Sequence, residues 1–157
     1  MTRLFAGLIV ATLAASPVFA ADNGLITLES KLPVKDTIEK FEAAIKAKAA
    51  AGWIVFTQID HAAAAKAAGI EMKPRTVIVF GNPKVGTAPM LKSASLAIDV
   101  PLKAVVWQDD QGKVMISYNS AAYLAATIYP RHGLAMPPEA AQNLETFLAG
   151  VAEASTK

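Results

Sequence analysis

A chain of 157 residues with 15 basic and 13 acidic side chains carries a formal charge of only +2 and contains no cysteine. That composition excludes disulfide stapling, thiolate metal ligation and cysteine nucleophiles, and its cations are scattered among acids rather than gathered on a face that would bind nucleic acid. With 54% hydrophobic residues and no covalent cross-link, one apolar core has to hold the fold.

The first twenty residues differ from the rest: a cation at Arg3, an apolar run from Leu4 to Ala15, then Ser16-Pro17-Val18-Phe19-Ala20. This is the three-part layout of a secretory signal peptide, and small or β-branched Val18 and Ala20 place cleavage after Ala20. The apolar run is about twelve residues long where a spanning helix needs about 20, and Pro17 interrupts any extension of it. The sequence therefore predicts a leader over 1–20 and a single domain over 21–157, periplasmic or secreted, with no later stretch apolar enough to span a membrane. Arg3 leaves with the leader, so fourteen cations face thirteen anions and the mature charge falls to +1.

Leu25 to Leu32 alternates as a strand does, and Pro33 opens a helix in which Val34, Ile38, Phe41 and Ile45 recur at helical spacing. Gly52 ends it. Trp53 to Ile59 has the β-branched and aromatic content of a second strand. Asp60 is placed to cap an alanine-rich helix from His61 to Ala68, closed by Gly69. Arg75 to Phe80 reads as a central strand, and Gly81-Asn82-Pro83-Lys84-Val85-Gly86-Thr87 as a turn-rich loop leading to a helix around Met90 and Leu91. Lys103 to Gln108 and Lys113 to Tyr118 flank Asp109-Asp110-Gln111-Gly112 as a β-hairpin. Asn119 or Ser120 caps a helix that should stop before Pro130, and a last helix starts near Pro137-Pro138-Glu139. This order suits an α+β domain: a mixed or largely antiparallel sheet with helices mainly on one face.

Ile59-Asp60-His61, Phe80-Gly81-Asn82-Pro83-Lys84, Gly86-Thr87, Met90, Asp99-Val100-Pro101-Leu102-Lys103 and the Trp107 to Tyr118 hairpin follow one another in an order that resembles the bacterial domain-of-unknown-function 302 family. The resemblance covers about residues 25 to 125, densest from Asp60 to Tyr118, and leaves 130–157 as a helical tail outside it. It implies a compact α+β fold and a homodimer, with Trp107 and Tyr118 buried in the core or at a subunit contact, and it carries no established activity.

Among candidate site residues, His61 follows the cap Asp60 in a helix's first turn, where the positive end of the helix dipole disfavours imidazolium. A neutral imidazole there suits a base, an acceptor or a ligand; the plainer reading is a packing or dimer-contact residue. Gly81 and Gly86, five apart, could present N–H groups to an anion, with Asn82, Lys84 and Thr87 beside them. The full phosphate loop is not met, because Thr87 stands where a lysine is required and Pro83 has no N–H. His132 and Met136, four apart, suit a cuprous ion if helical, but Gly133 and Pro137-Pro138 argue for a loop. Asp99 and Lys103, flanking Pro101, read as a site pair or, more plainly, as a surface ion pair. Ser93, Ser95, Ser117 and Ser120 lack the Gly-x-Ser-x-Gly setting of a nucleophile elbow.

The sequence thus predicts an exported homodimeric ligand-binding or accessory domain with no evident cofactor. Its small-anion or small-molecule pocket would lie near His61, Gly81 to Thr87 and Lys103. The rivals are a small hydrolase or lyase using neutral His61 as general base, and a purely structural partner protein.

Overall fold

The computed structural model describes residues 23–157 and the strand Val18–Ala20. Most of the expected leader lies outside the described residues. The strands are β1 (Val18–Ala20), β2 (Leu25–Ser30), β3 (Ile54–Asp60), β4 (Arg75–Gly81), β5 (Leu102–Gln108) and β6 (Val114–Asn119). Five of them, in the order β2-β6-β5-β4-β3, form an open antiparallel sheet, extended at one edge by short β1. The β5–β6 hairpin forms as predicted, with Gly112 at φ 83° in its turn.

Strand alternation sorts the sheet into two faces. Ile78, Ala104, Tyr118 and Ile26 stand opposite one another across four strands, as do Val106, Ile116 and Leu28 across three. These side chains meet α1 (Val34–Lys46) and α6 (Pro138–Ser155), which pack on each other and on this face. The α1 stripe supplies fully buried Phe41 and Ile45, while Val34 and Ile38 pack at its margin. Phe41 meets Phe80 edge-on at 5.3 Å, and Leu148, Val151 and Ala152 of α6 complete the core. The predicted tail is therefore integral to the domain, and Lys31 N–H to Thr156 O, 3.0 Å, ties the chain's end to β2.

On the other face Trp107 Nε1 donates to Ser117 Oγ at 2.9 Å, and that hydroxyl pairs with Thr27 Oγ1 at 2.8 Å. Short α2 (His61–Ala67) packs against β4, capped as expected by Asp60, whose Oδ1 accepts Ala63 N–H at 3.0 Å.

Two expectations change. The stretch from Pro83 onward is not a loop: α3 spans Pro83–Lys92, with Pro83 at its first position and Asn82 as its cap. Nor does the helix after β6 stop before Pro130. Capped by Ser120, it runs through α4 (Ala121–Tyr123), a π-helical stretch Leu124–Ile128 and α5 (Tyr129–Arg131). The wider π turn absorbs a proline that has no N–H to donate and whose ring would strike the carbonyl four residues back in an α-helix.

Candidate functional site

Leu96, Leu124 and Ile128 form a second, smaller core cluster under α3, the 3-10 turn Ala94–Ile98 and the π stretch. Between it and the main core lies a cavity of about 490 Å³. Trp53, Met90, Leu102, Leu124, Met136 and Leu144 are among its walls, and Phe56 and Val85 stand at its exposed rim. The π turn shapes one wall directly. Tyr129 N–H bonds to Leu124 O, an i→i+5 link that stacks these two residues, and both line the cavity. Opposite, Trp53 is fixed by stacking on Phe147 at 3.6 Å between ring centroids. Gly81 sits where a Cβ would come within 3.3 Å of both Phe56 and Pro101, so glycine lets these two rings approach.

The residues grouped by sequence do not share this cleft. Gly81, Asn82, Gly86 and Thr87 line the cavity, but Lys84, Lys103 and His61 do not. β3 explains the separation of His61: Ile54 stands opposite Gly81 and Asp60 opposite Thr76, so exposed His61 lies roughly 20 Å away at the far end of the strand. The anion reading of Gly81 to Thr87 loses its donors. Val85 N–H and Gly86 N–H bond to Asn82 O, Lys84 N–H bonds to Asn82 Oδ1 at 3.1 Å, and Pro83 has none. Lys84 lies instead against Gly52.

Lys103 does not pair with the Asp99 carboxylate; its Nζ donates to the carbonyls of Asp99 (3.3 Å) and Pro101 (3.2 Å). It borders a separate recess of about 30 Å³ with Asp99, Tyr118 and Leu148. Burial pushes the Tyr118 phenol up to about 12, helped by the Glu145 and Glu153 carboxylates, and burial likewise raises that of Tyr129.

What sequence reasoning missed is the company His132 keeps. Its side chain is only 4% exposed, and both ring nitrogens face protein partners: Nε2 lies 2.6 Å from Asp99 Oδ2, and Nδ1 lies 2.8 Å from Ser95 Oγ. Both nitrogens are engaged by protein partners, residues 132–137 form the loop that Gly133 and Pro137-Pro138 argued for, and Met136 lines the cavity. Arg131 NH1 stands 3.6 Å from the same Asp99 oxygen, and Ser93 Oγ lies 3.2 Å from Ser95 Oγ. The cluster joins segments 33 and 37 residues apart, and no local pattern announces it. None of these residues lines the cavity, but each is a near chain neighbour of one that does: Asp99 precedes Val100, Ser95 lies two before Ala97, and His132 falls between Tyr129 and Met136.

Comparison with known proteins agrees with this architecture. A crystal structure titled as an uncharacterized conserved protein DUF302 from Bacillus stearothermophilus superposes with a TM-score of 0.67, covering 84% of this chain and 98% of that one at 19% identity, which speaks to fold alone. Proteins named fluoride-specific ion channel FluC 1 from Brucella suis and Brucella abortus are each 42% identical over 120 residues, 76% of this chain. The chain spans less than half the length of these relatives, 44% and 42% respectively. Residues 26–152 match the domain of unknown function DUF302, well beyond the 25–125 core expected from sequence, and the chain belongs to that family.

Proposed function

We propose that the protein binds a small apolar molecule in the cavity walled by Trp53, Leu102, Leu124, Tyr129, Met136 and Leu144. The observation that carries this is the pairing of volume and chemistry: about 490 Å³ lined chiefly by aliphatic, aromatic and thioether side chains. Small-molecule sites run from roughly 300 to 1,000 Å³ with such walls. This reading replaces the anion pocket, whose amide donors are spent inside α3. We further infer that the domain works outside the cytoplasm after loss of residues 1–20. A second copy would pack on the exposed apolar rim, where Phe56 is 50% and Val85 64% exposed.

The test uses N-phenyl-1-naphthylamine, a neutral fluorescent probe, with Trp53 as partner. Saturable one-to-one binding is expected, weakened at least about tenfold, or 1.4 kcal/mol, by Ala97→Trp, which fills the cavity from an exposed turn. Non-saturable binding, or equal binding by the variant, would remove the reading. Native mass spectrometry of the exported protein should give a dimer beginning at Ala21.

A second reading has one specific support, the 42% identity to proteins named as fluoride-specific ion channels. In it the domain is an accessory unit beside such a channel. No helix among the described residues is long and apolar enough to cross a membrane. A fluoride-efflux assay in cells with and without this chain tests it; an unchanged rate rejects it.

A further inference from the structure

We propose that Ser95, His132 and Asp99, carried on the segments that wall the cavity, form a nucleophilic relay, and that it cleaves esters of apolar carboxylic acids. The substrate class rests on the cavity reading above; the relay rests on its own geometry.

That geometry assigns the protons. An ionised Asp99 carboxylate only accepts hydrogen bonds, so at 2.6 Å the His132 Nε2 must carry a hydrogen. In the neutral ring Nδ1 then holds a lone pair, 2.8 Å from Ser95 Oγ, and the Ser95 hydroxyl donates to it. Ser93, 3.2 Å away, donates in turn to Ser95 Oγ. A hydroxyl is thus held by a base, and the base by a carboxylate, as nucleophile activation requires. Exposure is divided accordingly. Ser95 is exposed, while the His132 side chain is 4% exposed.

The step balances with water as the sole co-reactant. Ser95 Oγ attacks the ester carbonyl carbon as its proton passes to His132 Nδ1, and the C=O pair moves onto oxygen. The tetrahedral adduct expels the alkoxide, which takes the proton from Nδ1 and leaves an acyl-serine. Water then attacks by the same route, its proton passing through Nδ1 back to Ser95 Oγ, releasing the acid. Asp99 holds the transient imidazolium throughout. The alcohol leaves toward solvent, and the acyl chain has the walls of Ala97, Val100 and Met136 beside it.

Two fluorophosphonates test this on the full chain: diisopropyl fluorophosphate and a long-chain alkyl analogue, with intact-mass and peptide mapping. The expected result is a single adduct on Ser95, formed faster with the long chain, absent in Ser95→Ala and slowed about a hundredfold in His132→Gln. Folding is checked by naphthylamine binding. Wild-type protein that binds the naphthylamine yet takes no adduct from either reagent, or is labelled at another serine, overturns the relay. Equal labelling by both reagents keeps the relay and overturns the apolar substrate class. Labelling of Ser95 without naphthylamine binding overturns the cavity reading and leaves the relay standing. If His132→Gln fails to fold, Ser95→Ala, an exposed change, carries the test.

Discussion

His61 and His132 occupy opposite kinds of place. His61 opens a seven-residue helix at the far end of β3, exposed, with its cap Asp60 as its nearest polar neighbour in sequence. His132 follows α5 in a turn, nearly buried, with both nitrogens bonded to residues more than thirty positions away. A histidine beside a capping residue has its neighbours supplied by one short element. A histidine whose partners come from two distant segments is oriented by the whole second core cluster, and that arrangement can hold a proton at a chosen atom.

The comparison should break most visibly in stability. His132→Ala leaves the partly exposed Asp99 carboxylate without its imidazole donor and opens a gap where the nearly buried ring stood, and urea unfolding should show a loss of about 2 kcal/mol. A loss below about 1 kcal/mol would mean that water or Arg131 substitutes for the imidazole.

The next effect belongs to the main core beside the small recess. The Tyr118 phenol titrates near 10.0 when unfolded and at about 12 when folded. Below pH 10 it is neutral in both states and its contribution is complete. As pH rises through that window the unfolded chain loses the proton first, so unfolding releases a proton and stability falls, by about 1 to 2 kcal/mol after allowance for screening. Tyr118→Phe should flatten most of this slope; an unchanged slope would assign it to other groups.

On the His61 side the changes should be smaller and local. Asp60→Ala removes the bond to Ala63 N–H and should cost about 1 kcal/mol, read as faster amide exchange in α2. His61→Ala, in an exposed position, should stay within about 0.5 kcal/mol and leave naphthylamine binding unchanged. A large effect there would mean that His61 has a partner in the assembled protein.

Much of the fold was legible because it is written locally. Val34, Ile38, Phe41 and Ile45 repeat at helical spacing, the β5–β6 strands flank an Asp-Asp-Gln-Gly turn, and Asp60 and Ser120 cap the helices that follow them. Where local signals competed, the stronger tertiary term won. Gly81, Pro83 and Gly86 look like a loop, yet Pro83 at a first helical position and the Asn82 cap start α3 there. Pro130 looks like a stop, yet the π stretch carries the helix past it. The site was least legible. His132 was noticed for its spacing to Met136, but its partners are Ser95 and Asp99, which share no periodicity with it and meet it only through folding. The cavity walls were equally hidden, since Trp53 and Leu144 read only as residues of a strand and a helix, and Met136 only as a companion of His132.

The π stretch behaves like a reading frame. Tyr129 faces the cavity and His132 reaches Asp99 because the turn between Leu124 and Ile128 holds one residue more than an α-helix would. Winding the same residues as a regular α-helix would keep every residue of the cluster and the cavity wall. It would also turn each residue after the stretch by about 100° relative to the start of the helix. The composition of the site would survive and its meaning would be lost, so the count of residues in this turn is as much a part of the site as His132 itself.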